Sequence, residues 1–259
     1  MRVPIRIIGI ATSAIWAFLI IFMVTAIYSM KDVRLNIGQF QNSMTQDNQL
    51  LLSFPISIVN TGFYNLAQFN ISTLVLSANG SMLANGSTFI PIVVHERAVN
   101  VTHDITLNLT DLLLANRDML FHDTELSTNM TVSMRAAEAI PILASSNISI
   151  PWGAPLYNLR IGNPEFSIYN ATHSRVLVPL SFENHAFFNL TGSVQLHVYN
   201  SANVQVTQTT MDFNVHEHSP YQGNVELYIP FGTTSRVHFE MFFAFPFLNY
   251  GPLVVPYGN

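Results

Sequence analysis

The stretch PISIVNTGFYNL, Pro55 to Leu66, returns as PLSFENHAFFNL, Pro179 to Leu190, with six identities in twelve positions. The match runs without a gap from Ile37-Gly38 against Ile161-Gly162 to Leu66 against Leu190, and nine of its thirty positions are identical. A further echo, VHE, stands at Val94 to Glu96 and again at Val215 to Glu217. An internal repeat of this length means that one folding unit has been used twice, so each reading of the first copy must also hold for the second.

Periodicity states what the unit is made of. Leu52, Phe54, Ile56 and Ile58 alternate with Ser53, Pro55, Ser57 and Val59, and Val176, Val178, Leu180 and Phe182 hold the equivalent inward places. Val99, Val101, Ile105, Leu107 and Leu109 alternate with Asn100, Thr102, Asp104, Thr106 and Asn108, the pattern of a strand with one wet face. ANGS occurs twice within Ala78 to Ser87 as a turn signal. These patterns predict an all-β chain of two tandem antiparallel β-sandwich domains, over 37–159 and 160–259. TDLLLANRDMLFHD, Thr110 to Asp123, opens with capping residues and predicts a short helix in the first sandwich; PFGTT, Pro230 to Thr234, replaces it in the second. The Pro- and Gly-containing stretch Ser149 to Phe166 joins the two.

Ahead of the repeat, Ile7 to Met30 carries no charge and is long enough, at about 20 residues or more, to cross a bilayer as a helix. A cleaved signal peptide is the rival reading, but its apolar core is shorter and ends in small residues, where this chain has Ile27 and Tyr28. We expect an anchor at 7–30 behind a cytoplasmic tail at 1–6, with the bulk of the chain outside the cell. Arg2 and Arg6 against Lys31 and Arg34 tilt that orientation only slightly. Nine Asn-x-Ser/Thr triplets support it further: Asn70, Asn79, Asn85, Asn100, Asn108, Asn129, Asn147 and Asn170 are candidate glycosylation sites, while Asn189 doubles as part of the repeat signature. Only 10% of residues are charged, so Asn, Ser and Thr supply the polar surface, and the net charge of -5 with no basic stripe argues against nucleic acid. Without cysteine there are no disulfide staples and no thiolate metal sites.

The alternating strand, its terminal Asn60 or Asn184, the following Phe63 or Phe187, and the run into a second strand resemble the late embryogenesis abundant type 2 family, also called the water stress and hypersensitive response fold. The family's Asn-Pro is replaced here by Asn60-Thr61 and Asn184-His185. Tandem copies behind one membrane helix are similar to archaeal membrane proteins of this group, and the likeness covers nearly everything after residue 36. It implies a seven-stranded sandwich with one helix, roles in stress tolerance or at membrane surfaces, and no catalysis; some relatives have been proposed to bind lipid. From the residues themselves, Asn60 and Asn184 are expected to fix a turn through side-chain bonds to nearby backbone, with the aromatic that follows plugging the end of the sandwich.

Chemistry-bearing motifs are sparse. His216 and His218 flank Glu217 and would share a strand face, a weak candidate for a metal, although two ligands do not make a site. His103 falls on an apolar face and reads as a satisfied or an edge residue and not as a ligand. GxSxG, HExxH and Gly-rich phosphate loops are missing, so neither catalysis nor a cofactor is expected. Phe242 and the apolar tail from Pro246 to Tyr257 exceed what one core face needs; they either fold back over a sheet edge or junction, or meet a protein or lipid partner. The expectation is an anchored structural, protective or adhesion module. A lipid or small apolar ligand binder and a subunit of a surface assembly are the alternatives.

Overall fold

A computed structural model of the chain describes residues 3–45, 47–77, 80–231 and 237–255. Helix α1 (Val3–Met30) leads into β1 (Val33–Ile37), β2 (Gln41–Met44), β3 (Gln49–Asn60), β4 (Leu66–Leu76), β5 (Met82–Val93) and β6 (Arg97–Asn108). Helix α2 (Leu109–Ala115) and a 3-10 turn at Arg117–Leu120 precede β7 (Thr124–Ala136) and β8 (Ile140–Trp152). The second half runs β9 (Tyr157–Ile161), β10 (Glu165–Ile168), β11 (His173–Asn184), β12 (Leu190–Asn200), β13 (Gln205–Val215), β14 (Ser219–Pro230), β15 (Val237–Phe245) and β16 (Leu248–Val254).

Both halves pair these strands in the same order, and all pairs are antiparallel. β3 lies between β6 on one side and the two short strands β1 and β2, in line, on the other; β11 lies in the same way between β14 and the pair β9 and β10. The second sheet of the first half runs β5-β4-β7-β8, and its counterpart runs β13-β12-β15-β16. The repeated topology begins at Val33 and Tyr157, ahead of the first sequence identities at Ile37 and Ile161.

Alternation sets which faces are buried. Along β11, Val176, Val178, Leu180 and Phe182 are buried; along β6, Ile105 and Leu107 are buried while Asn100, Thr102, Asp104, Thr106 and Asn108 are exposed. Ile56 and Ile58 of β3 share one apolar cluster with Leu66, Phe69 and Ile71 of β4, Ile90 and Val93 of β5 and Met130 of β7, so the two sheets of the first half bury side chains together. His103 on β6 is the polar exception. It is fully buried, and its ring nitrogens lie 2.9 Å from the hydroxyls of Thr88 on β5 and Thr73 on β4, a pin across the sheets. Burial holds its pKa below the ordinary histidine value against the pull of Asp104, which favours the neutral ring.

The register corrects three sequence expectations. Helix α2 starts before Thr110, because Asn108 caps it: its Oδ1 accepts from the Thr110 and Asp111 amides at 2.9 and 3.3 Å. The second ANGS, Ala84 to Ser87, lies inside β5 instead of in a turn, and its Gly86 is needed there because a Cβ would come within 2.5 Å of the Asp104 carbonyl oxygen. The VHE echo is one residue out of structural register, since Asn65 accepts from the His95 amide whereas its counterpart Asn189 accepts from that of Glu217. A bulge in β4 against β7, with Gln68 at φ 53°, adds to the drift, so that buried Ile71 and Val75 correspond to Val194 and Val198. Residues 232–234 of PFGTT lie outside the described residues.

Asn60 and Asn184 are both fully buried and make matching bonds. Asn60 Nδ2 donates to the carbonyls of Tyr64 (3.0 Å) and Val93 (3.2 Å), and its Oδ1 accepts from Gly62. Asn184 Nδ2 donates to Phe188 (2.9 Å), Val215 (3.3 Å) and His216 (3.1 Å), and its Oδ1 accepts from Ala186. Each amide therefore joins the turn that follows it to the end of the strand two elements later. Asn184→Ala is expected to lower stability by about 3 kcal/mol, because it strands buried carbonyls and an amide; chemical denaturation against the parent protein measures this.

Candidate functional site

The two halves meet end to end, and the meeting place carries a cleft of about 940 Å³. Trp152 at the end of β8 is fully buried, donates its indole N–H to the Met119 carbonyl at 2.9 Å, and meets Phe187 edge-on, with Phe188 tilted against it. Gly153 follows because a Cβ there would collide with the carbonyl of His185. The Leu156 amide donates to the Leu120 carbonyl at 2.8 Å, and the His185 amide to that of Ala154 at 3.0 Å. A single apolar cluster runs through the junction, from Leu50, Leu107 and Leu112 to Phe188, Leu190 and Phe247.

The C-terminal aromatic segment closes the other side. β16 pairs with β15 and covers its edge, Phe247 is buried against Phe188, and Tyr250 meets Phe121 of the first half at 5.1 Å between ring centres. Thr110 Oγ1 donates to the Phe247 carbonyl at 2.6 Å. The tail, as far as Val255, is thus spent largely on a sheet edge and the junction, while residues 256 and 257 lie outside the described residues.

The cleft is lined by Asp123, Glu125, Glu183, His185, His218 and Trp152 among others, and among the described residues neither Lys nor Arg stands in its wall. His185 is its centre: Nδ1 lies 2.8 Å from Asp123 Oδ2 in the first half, Nε2 lies 3.2 Å from Glu183 Oε2, and the ring stacks on Tyr157 at 4.1 Å. Asp123 is held in place by the Ala154 amide on its other oxygen, at 2.8 Å. Burial works against a charged His185, but the hydrogen bonds its ring donates to Asp123 and then Glu183 outweigh it, and its pKa is raised. Burial likewise pushes the Asp123 carboxyl up, yet the Ala154 amide and His185 hold it below the ordinary value. With both ring nitrogens committed to carboxylates, the imidazole acts as a bridge between the halves and has no nitrogen left to activate a nucleophile.

The histidines singled out from sequence are placed differently from the expectation. His216 and His218 stand in the turn between β13 and β14, His218 at φ 53°, so they do not share a strand face; only His218 reaches the cleft. Among the described residues, no group of three His, Cys, Asp or Glu side chains is arranged to hold a metal. Of the candidate glycosylation sites, Asn85, Asn100, Asn108, Asn147 and Asn170 are exposed, as is Asn189, while Asn70 and Asn129 are half-buried; Asn79 lies outside the described residues. Asn85 and Asn129 both pair with Leu74, and Asn129 donates to its cross-strand partner Asn147 at 2.9 Å, so three of these residues form one row on the outer face of a single sheet. Phe187 fills the junction, whereas Phe63, its counterpart, is 67% exposed and stacks on Tyr28 instead of plugging the end of the core.

Phe242, surplus to the core face in the sequence, belongs to a row of rings on the outer face of the second half, whose other members gave no sequence signal. Phe242 meets His197 at 4.9 Å, and Tyr199 stacks on His238 at 5.1 Å, because β12 and β15 lie side by side. The first half carries Ser72, Leu74, Thr131 and Asn129 on the corresponding face.

No protein-family model matches the chain, and no curated protein matches it. Among solved structures, the crystal structure of red sea bream transglutaminase is similar at 14% identity and a TM-score of 0.33, over 88% of this chain and 31% of that one. A score that low carries no argument about fold or activity.

The raised pKa of His185 and the lowered one of Asp123 set a pH window. The histidine's contribution is complete below its unfolded pKa and fades as pH rises through its folded value; the aspartate's is complete above its unfolded pKa and fades as pH falls through its folded value. The loss of melting temperature on His185→Gln is therefore expected to be largest at about pH 5 to 6 and to shrink toward pH 8, as read by thermal unfolding across that range.

Proposed function

We propose that the chain is a single-pass, membrane-anchored surface protein whose two β-sandwiches form a stacked, non-catalytic structural or adhesion module outside the cell. The N-terminus is cytoplasmic and the exposed sequon asparagines carry Asn-linked glycans. In this reading each half is a sandwich of its two sheets, and membership of the late embryogenesis abundant type 2 family rests on the strand, buried Asn and aromatic turn that recur in both. The observation that carries the proposal is that one turn is used twice as a seat. Thr61–Asn65 sits on the end of α1, through Ser29, and the equivalent His185–Asn189 sits on the end of the first half, through Trp152 and Gly153. The helix supports its membrane part: Ile8–Met30 is 23 residues long, has a mean hydropathy of 2.3, and is almost wholly unburied.

Stacking in series places the far end of the second half at the tip. Ile168, Tyr169, Val204 and Phe231 are exposed there at 81, 59, 58 and 44%, more apolar surface than a solvated end requires. The neutral Ser, Thr and Asn surface below stays hydrated through amides and hydroxyls, to which sugars would add bulk. In cells of the native host, protease added outside intact cells is expected to degrade the chain, and chemical deglycosylation to lower its mass. A chain that survives protease until the cells are opened overturns the outside placement, and an unmodified mass overturns the glycan part.

A further inference from the structure

The junction between α1 and the first half is built as a rigid joint. Only Lys31 and Asp32 separate α1 from β1, and both amides are bonded back to the helix, to the carbonyls of Tyr28 and Ser29. The Asp32 carbonyl accepts from the Thr61 amide and hydroxyl. Ser29 is buried, and its Oγ accepts from the Phe63 amide at 2.8 Å and the Tyr64 amide at 3.3 Å. Gly62 allows this approach, since a Cβ there would collide with Ser29. Further along the helix, Ala26 is buried, the hydroxyls of Thr25 and Tyr64 lie 3.0 Å apart, and Phe22 meets the Tyr64 ring edge-on at 5.9 Å.

These contacts fix a depth. Thr25 and Phe22 lie about 7 and 12 Å before Met30 along the helix axis. A span of 23 residues is about 34 Å long, against a hydrocarbon core of about 30 Å, so Thr25 falls inside the outer boundary of the core. The turn that reaches Thr25 must reach the same level. Its neighbours are held to it through Asn65, which accepts from the His95 amide and donates to Glu138, so the turns at residues 94–96 and 137–139 belong to the same end. That end is apolar at its lip, with Phe63 67%, Ile92 42% and Val94 41% exposed and Tyr28 stacked on Phe63. Lys31, Arg34, Arg97 and Arg135 stand around it beside Asp32, Glu96 and Glu138, a nearly balanced rim.

We propose that this end of the first half is a lipid-binding surface: Phe63, Tyr64 and Val94 lie in the outer interface of the same bilayer that α1 spans, with the basic and acidic rim among the headgroups. The inference rests on the membrane-anchor reading above and adds a binding site to it. Aromatic side chains at the interface and apolar turns beside a spanning helix are the chemistry that a bilayer surface accepts, and the balanced rim makes the seat independent of anionic lipid.

The chain has no cysteine, which makes single-cysteine variants clean reporters. The full-length protein with Ile20→Cys, Phe63→Cys, Val94→Cys or Ile168→Cys, labelled with an environment-sensitive fluorophore, is placed in phosphatidylcholine nanodiscs with and without lipids bearing nitroxides both near the top and near the end of the acyl chain. Labels at 20, 63 and 94 are expected to lose most of their emission to the nitroxides, the label at 168 to keep it, and the pattern to persist when phosphatidylglycerol is added. A quenched label at 20 with 63 and 94 behaving like 168 overturns the lipid seat but leaves the anchor. An unquenched label at 20 overturns the anchor and the seat together.

Discussion

The structure depends on one kind of bond made twice: a buried asparagine amide that donates to two or three backbone carbonyls where the chain has no regular partner. A turn at the end of a long strand leaves carbonyls that cannot be solvated once the neighbouring segment packs over them. Asn60 and Asn184 satisfy them from within, and so allow Thr61–Asn65 and His185–Asn189 to be covered without losing their hydrogen bonds. A covered turn is what turns a strand end into a docking surface. The helix meets the first half against one of these two turns, and the first half meets the second against the other, with the C-terminal segment adding a separate contact through Phe247 and Tyr250.

The two joints solve the same problem with different residues. At the first, small Gly62 receives Ser29 and the hydroxyl of Ser29 caps two turn amides; at the second, Gly153 makes room for the backbone at His185 and the packing is taken over by Trp152, Phe187 and Phe188. The second joint has a larger aromatic contact and a hydrogen-bonded bridge, Asp123 to His185, on its rim. The first has a helix that continues beyond it. Exposed Phe63 and half-buried Phe187 are the same position in these two settings, which is why a single role for both could not hold.

Much of the architecture was legible in the chain. Alternation in Val176 to Phe182 and in Val99 to Leu109 marks strands because burial on one face is a local, period-two property, and the uncharged run to Met30 marks a helix by length alone. Helix α2 was legible in kind but not in boundary, since Asn108 looked like the wet end of a strand and serves also as a cap. The candidate site was hardly legible at all. Asp123 and His185 are 62 residues apart, and His197 and Phe242 meet only through the pairing of β12 with β15. The bulge at Gln68 then shifts the alignment of the copies by a residue, which hides equivalent positions on the outer faces.

Because each joint takes hold of whatever precedes it with the same turn, the molecule is organised like a mast built from interchangeable sections. Duplicating a section changes how far the top stands above its base while leaving the base itself untouched. In the proposed anchored arrangement, height and foothold can then evolve separately: substitutions in Tyr28, Phe63 and their neighbours would retune the foot, and those around Ile168 and Tyr169 the top, with two buried asparagines keeping the sections in line.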